Sequence, residues 1–327
     1  TNKKQTLVVA GKIAENAGAF EQLTLGRKLV AAATSQKAAS LGICTIGFDK
    51  EAEARVVSNV LAAALAAAGT LPSYKSKAPP ARIKSIRLLG LADALDTSRT
   101  EAEAVGNNLA RWLTTQPPNK LNAKSYAALA RQMAKDRGWQ FKRFGVKDLE
   151  SLQAGAFLAV AQGNEDDSAA IVRLSYRPGD KNAKPDLSLV GKGIIFDTGG
   201  TNLKPFASML DMHGDMQGSA VALGALVAIS ELQLPIAVDC WLALTENRTG
   251  PQAYKSQDVV TAANGKTIQT IHTDAEGRMA LADTLVLASR EEPGLMLDYA
   301  TLTGSCIGAI TKRYSGVFTN RPDLHDR

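Results

Sequence analysis

Leu187-Ser188-Leu189-Val190-Gly191-Lys192-Gly193-Ile194-Ile195-Phe196-Asp197-Thr198-Gly199-Gly200 is the stretch on which the reading of the fold turns. Its first four residues read as the end of a strand. The glycines that follow predict a loop whose backbone can approach a ligand closely. Lys192 and Asp197 lie inside this run, and Lys204 and Asp215 follow it. Two glycine-loop readings fail. There is no Gly-Lys-Ser/Thr ending of a phosphate-binding loop and no three-glycine fingerprint of a dinucleotide site. The plain alternative is a turn-rich loop with solvated lysines, against which the charged residues downstream argue.

Downstream stands His272-Thr273-Asp274-Ala275-Glu276-Gly277-Arg278, two carboxylates followed by a glycine and an arginine. In an extended chain Asp274 and Glu276 would leave the backbone on the same side. Two carboxylates facing one point repel each other unless a cation sits between them. Apolar neighbours, Ile268 and Ile271 before and Met279, Ala280, Leu281, Ala282 and Leu285 after, place the pair near a core. The alternative is an exposed turn that starts a helix, where acidic residues favour the positive end of the dipole. Taken together, the two segments supply four carboxylates, two lysines and an arginine, the inventory of a two-metal hydrolase.

Outward from these segments the chain alternates between strand and helix patterns. In the N-terminal part, residues 6–10 and 43–47 read as strands, with a helix over 25–39 between them. A helix over 52–68 and a strand over 86–89 follow, with Pro79-Pro80 in a loop, and this alternation predicts an α/β domain. Residues 99–114 read as a linking helix that stops before Pro117-Pro118. Strands are predicted at 169–174, 236–244 and 295–299, and helices at 217–232 and 279–290. Asn264-Gly265 between apolar residues signals a hairpin. The candidate site residues fall at strand ends and adjoining loops, where open α/β sheets place their sites.

Composition is that of a water-exposed globular chain. At 327 residues it has length for two cores, and with 45% hydrophobic but only 5% aromatic residues those cores rest on Ala, Leu, Val and Ile. The run from Val60 to Ala68 is too short to span a bilayer, and no membrane association is expected. Cys44, Cys240 and Cys306 read as buried free thiols of a reducing, cytoplasmic compartment. The net charge of +6 gathers in two clusters, Lys75, Lys77, Arg82, Lys84 and Arg87, then Arg131, Lys135, Arg137, Lys142, Arg143 and Lys147. A solvated face is the ordinary reading of such clusters, and nucleic-acid contact the sharper one. No His-Glu-x-x-His motif occurs, which argues against a single-zinc protease.

The chain resembles the leucine (cytosol) aminopeptidase family of two-metal metallopeptidases. The resemblance rests on Val190-Gly191-Lys192-Gly193, Phe196-Asp197-Thr198-Gly199-Gly200, Leu203-Lys204-Pro205, Met212, Asp215-Met216 and Thr273-Asp274-Ala275-Glu276-Gly277-Arg278. Ala300-Thr301-Leu302-Thr303-Gly304, Pro117-Pro118-Asn119 and Gly155-Ala156-Phe157-Leu158-Ala159-Val160 also match, so it covers residues 105 to 327 and is loose before them. It implies an α/β fold, with a smaller N-terminal α/β domain (1–105) joined by a helix to a larger α/β catalytic domain with a mixed central sheet (106–327). The family's catalytic domain runs on beyond this point, so the second domain reads as truncated at the C-terminus.

The resemblance also implies roles. Lys192, Asp197, Asp215 and Glu276 would hold one divalent ion and Asp197, Asp274 and Glu276 the other. Lys192 could ligate only as a neutral amine. Two ions roughly 3.5–4 Å apart would share and acidify a water, and one would receive the substrate's free amine. Lys204 would polarise the scissile carbonyl. Arg278 would hold a bicarbonate that moves the water's proton. Met212, Thr301, Leu302 and Gly304 match substrate-binding positions. The carboxylate-rich donor set suits Mn²⁺ or Zn²⁺, with Mg²⁺ or Co²⁺ also compatible. Substrates would be peptides with a free N-terminus, and the assembly a homo-oligomer, a hexamer in the family. The chain has His272 where the family usually has asparagine. His272 and His213 read as groups beside the ligands or on the surface. The alternatives are a weakly active member acting mainly in DNA binding or scaffolding, and a phosphate-metabolising two-metal enzyme, against which a lysine ligand argues.

Overall fold

The computed structural model describes residues 6–14, 16–35, 38–77 and 83–324. The N-terminal part comprises α1 (Ala19–Thr34), β1 (Ser40–Cys44), α2 (Lys50–Ala68), β2 (Ser85–Leu89) and α3 (Ser98–Thr114). Asp49 caps α2 by accepting from Ala52 N at 2.8 Å, which satisfies one of the free N–H groups of the first turn. β1 and β2 pair in parallel, Ser40 opposite Ser85 and Cys44 opposite Leu89. Val30, Leu41, Ile43, Leu61 and Ala64 form the small core of this part.

The second part runs α4 (Ala123–Arg137), β3 (Gln140–Gly145), α5 (Val146–Ser151), α6 (Gly155–Ala161), β4 (Ala170–Tyr176), β5 (Leu187–Asp197), α7 (Phe206–Met209) and α8 (Gln217–Glu231). It continues through β6 (Val238–Asn247), β7 (Val259–Thr261), β8 (Thr267–Gln269), α9 (Glu276–Ser289), β9 (Leu295–Tyr299) and α10 (Ser305–Ile310). Its mixed sheet has the order β3-β4-β6-β5-β9. β5 is parallel to both β6 and β9, while β4 is antiparallel to β3 and β6.

Alternation along the strands feeds two cores. Leu189, Leu174, Cys240 and Leu242 join Leu113, Tyr126 and Leu226 under α3, α4 and α8. Val190, Ile171, Trp241 and Ala243 join Phe157, Met279 and Ala280 under α6 and α9. The central strands β4, β6 and β5 are thus buried on both faces, while the edge strands β3 and β9 are partly exposed. Asp283 of α9 is fully buried and ties the second layer together, accepting from Phe157 N in the first turn of α6 (2.8 Å) and from Ala263 N (2.7 Å).

β5 carries an irregularity that shapes the site. Ile194 pairs with Thr245, yet Asp197 pairs with Asn247, so three steps on β5 face two on β6. Lys192 and Asp197 are five residues apart and would point to opposite faces of a regular strand. The extra residue of this bulge restores Asp197 to the face of Lys192.

The structure corrects several expectations. Gly191 and Gly193 lie not in a loop but in the 11-residue β5, where they fit a strand covered closely on both faces, while Gly199 and Gly200 form the turn that follows it. Residues 6–10 form no strand, since β1 pairs only with β2 and Leu7 and Val8 stay exposed. The strand expected at 43–47 is Ser40–Cys44, and the helix expected over 25–39 begins at Ala19, directly after the extended Gly18. Cys44 and Cys306 are exposed, and only Cys240 is buried. β3, unexpected, is an edge strand with basic residues in it, a pattern that hides apolar alternation. The Asn264-Gly265 hairpin forms between β7 and β8. Pro79, Pro80 and Arg82 lie outside the described residues.

Candidate metal centre

The site lies at the C-terminal ends of the parallel strands β5, β6 and β9. Asp197 closes β5, Asp215 lies two residues before α8, and Thr301 follows β9. Asp274 sits in a 3₁₀ turn (Thr273–Ala275), and Glu276 is the first residue of α9. The extended reading of this segment is therefore overturned. The chain starts a helix there, as the alternative reading held, but Glu276 is 1% exposed and points inward. Of the apolar residues flanking the pair, Ile271 is exposed.

Lys192 reaches the middle of the cluster from β5. Its Nζ lies 2.9 and 2.8 Å from Asp215 Oδ1 and Oδ2, 2.9 Å from Glu276 Oε1 and 3.1 Å from the Thr301 carbonyl. Thr301 Oγ1 donates to Asp215 Oδ1 at 2.6 Å. Gly277 makes this approach possible, because a Cβ there would lie 2.5 Å from Lys192 Cε and 2.8 Å from Nζ. Lys204 serves the outer side. Its Nζ is 2.9 Å from Asp197 Oδ2 and also pairs with Asp274. It is turned there by Gly199 and Gly200, which take φ of +88° and +69°, values that L side chains rarely adopt.

Electrostatics follow from this crowding. Burial pushes the Glu276 carboxyl up to about 7; Lys192 pulls it down while Asp197 and Asp215 add to the rise. Burial likewise raises Asp215, with Lys192 opposing. For Lys192 burial works downward, yet the Asp215 and Glu276 carboxylates outweigh it and hold the ammonium above its ordinary value. Lys204 is raised in the same way, burial being outweighed by hydrogen bonds to Asp274 and Asp197.

Oxygens of Asp197, Asp215 and Glu276 all lie within 4.8 Å of one another, and all three residues are buried. Four carboxylates here face two ammonium groups, which leaves an excess of negative charge. Glu276 Oε2 is buried with no hydrogen-bond partner. A buried, unpartnered carboxylate oxygen is costly, and a divalent cation with oxygen ligands would satisfy it. The residues present therefore fit a metal.

The other expected residues are spread around this centre. Arg278 is exposed on the first turn of α9, and among the described residues no carboxylate pairs with it. Met212 is half-buried in the 3₁₀ turn before Asp215, with His213 beside it, while Leu302 and Gly304 are exposed after β9. His272 is exposed and accepts from Asp274 N through Nδ1 at 3.2 Å. Residues that sequence reasoning missed hold the ligand segments together. Thr273, fully buried, donates from Oγ1 to Gly199 O (2.6 Å) and from its N–H to Asn202 Oδ1 (2.8 Å). Its carbonyl accepts from Tyr254 OH at 2.7 Å and Asn247 Nδ2 at 3.1 Å. A signal was present only for Thr273, which lies inside the quoted motif. The second basic cluster makes local contacts, Arg137 with Glu231 at 2.6 Å and Arg131, Arg137 and Lys142 over the rings of Phe141, Trp139 and Phe144.

A model of the cytosol aminopeptidase family, catalytic domain, matches residues 108–327. The chain belongs to this family. A "Probable cytosol aminopeptidase" of Stutzerimonas stutzeri is 41% identical over 283 residues, 85% of this chain and 56% of that protein. The "Cytosol aminopeptidase" of Pseudomonas aeruginosa is 40% identical over 285 residues, again 85% of this chain and 57% of the relative. The chain thus spans a little over half the length of these curated relatives. A solved tomato leucine aminopeptidase mutant superposes with TM-score 0.81 at 28% identity, covering 90% of this chain and 59% of that one. A leucyl aminopeptidase from Trypanosoma brucei in complex with actinonin gives 0.77 at 28% identity, covering 88% and 56%. Among the described residues no helix is long and apolar enough to cross a membrane.

Proposed function

We propose that this chain carries the metal-dependent aminopeptidase site of its family and acts on peptides with a free N-terminus. The observation that carries the reading is the buried meeting of Asp197, Asp215 and Glu276 at strand ends, with a charge excess and an orphaned carboxylate oxygen, in a member of this family. Lys192, Asp197, Asp215, Asp274 and Glu276 would hold two divalent ions, Mn²⁺ or Zn²⁺ first, Mg²⁺ or Co²⁺ next. When bound, such ions supply an acidified water and a Lewis acid. Lys192 as found is an ion-paired ammonium; as a ligand it would lose its proton, which a neighbouring cation favours.

Lys204 would meet the substrate carbonyl. It reaches over the outer carboxylates from a glycine turn and remains partly exposed. A fixed ammonium there would stabilise charge developing on the carbonyl oxygen. Arg278, exposed and without a carboxylate partner among the described residues, is free to hold an anion such as bicarbonate near Glu276. Met212, Thr301, Leu302 and Gly304 would line the path of the peptide. Division into residues 1–105 and 106–327, assembly into a homo-oligomer such as a hexamer, and a cytoplasmic location belong to the same reading and rest on the family. Neither the acidic site nor the relatives' names favour the DNA-binding or scaffolding alternative.

The test is hydrolysis of leucyl-p-nitroanilide by this chain with and without Mn²⁺ or Zn²⁺, alongside the N-acetylated analogue. Metal-dependent cleavage of the free-amine substrate alone is the expected result. No cleavage while both metals are demonstrably bound would sink the reading.

A further inference from the structure

The two oxygens of Asp197 are held differently. Oδ1 accepts two N–H groups, Gly199 N at 2.8 Å and Asn247 Nδ2 at 2.8 Å. Oδ2 faces Lys204 Nζ at 2.9 Å. Asn247 closes β6 directly opposite Asp197 across the bulge and is fully buried. Its other Nδ2 hydrogen goes to the Thr273 carbonyl, one residue before Asp274. One amide thus joins the end of β5 to the turn that carries Asp274 and Glu276.

The orientation of that amide is decided by its surroundings. Turned over, it would set Oδ1 against two acceptors, the Asp197 carboxylate and the Thr273 carbonyl. As it stands, Asn247 Oδ1 is buried and has no hydrogen-bond partner. A Cβ at Gly200 would lie 3.0 Å from it, so the backbone packs close against this carbonyl. The protein leaves one carbonyl unsatisfied in order to direct both donors at the site, and donation to a carboxylate is the stronger kind of hydrogen bond. The Thr273 carbonyl has a second donor in Tyr254 OH at 2.7 Å, so the turn is anchored without Asn247. Asp197 Oδ1 has only Gly199 N besides.

We infer that Asn247 is a positioning residue of the metal site: it occupies Asp197 Oδ1, so that Oδ2 alone is presented to a cation, and it sets the distance between Asp197 and the turn bearing Asp274 and Glu276. Asn247 does not touch substrate or ion; it acts through Asp197. The inference rests on the proposed metal-binding function.

The test compares two variants that each remove a hydrogen bond to the Thr273 carbonyl, Asn247→Leu and Tyr254→Phe. Leucine matches asparagine in shape and carries no donor; Asn247→Ser serves if the leucine variant does not fold. Mn²⁺ is titrated into the metal-free chain against a chelating indicator, and melting is recorded in chelator. Loss of a hydrogen bond to a ligand should weaken Mn²⁺ binding by roughly 10–100-fold in Asn247→Leu, with Tyr254→Phe within about threefold of the parent. Equal weakening in both variants would show that Asn247 acts only on the turn, and parental affinity in the Asn247 variants would show that it does not position Asp197; either overturns the inference. A parent chain that binds no Mn²⁺ removes the metal-site reading and the inference together.

Discussion

Lys192 and Lys204 occupy two ends of one acidic site under opposite conditions. Lys192 comes from the middle of a fully covered strand, is 2% exposed, and is surrounded by Asp215, Glu276 and the Thr301 carbonyl. Lys204 comes from a glycine turn, is 14% exposed, and pairs with Asp274, which is itself 29% exposed. An ammonium held in place among oxygens is suited, in the proposed reading, to give up its proton and ligate a cation. An ammonium on a turn at the open side is suited to follow a substrate. Burial, rather than residue type, separates the two proposed roles.

The comparison is most exposed to failure at Glu276, which belongs to the inner end. Glu276→Ala should abolish metal binding and turnover together, read as bound metal after desalting and as leucyl-p-nitroanilide hydrolysis. Retention of two metals by this variant would erase the distinction between inner and outer groups. Lys204→Ala should keep metal and lose rate by roughly 10²–10³-fold, the usual cost of removing an oxyanion donor. Near-normal turnover with both metals bound would leave Lys204 as a surface ion pair. The smallest effect is expected at Gly277→Ala. The new Cβ would press on the pinned end of Lys192, and overpacking of this kind costs about 1–3 kcal/mol. Urea unfolding should show that loss, and a variant as stable as the parent would mean that Lys192 is freer than its four oxygen contacts imply.

Much of the second half was legible in the chain, because apolar runs such as Val238–Asn247 and Gln217–Glu231 carry their period or their continuity openly. The site residues were legible as types in a known order, since lysines and carboxylates amid apolar residues point to a shared cation. What was hidden depended on neighbours. Residues 6–10 have strand composition, but among the described residues no sheet takes them up as a strand. β3 has a partner but carries Lys142 and Arg143 on an edge. The Asp274–Glu276 pair looks the same on paper whether it opens a helix or lies in a strand; the Thr273 hydrogen bonds to Gly199 and Asn202 decide for the turn. Asn247 gave no signal at all, because its role exists only once β5 and β6 lie side by side.

The bulge in β5 has a consequence for how this chain tolerates change. Alternation along a strand is a parity, and one extra residue between Ile194 and Asp197 sets that parity for everything that follows. Substitutions in this interval alter packing; a deletion of one residue would alter facing. Such a chain would still hold every lysine and carboxylate in order, and its motif would read as intact, yet Asp197 would look toward α8 rather than Glu276. Part of what specifies the centre is therefore a count of peptide units, to which no side chain corresponds.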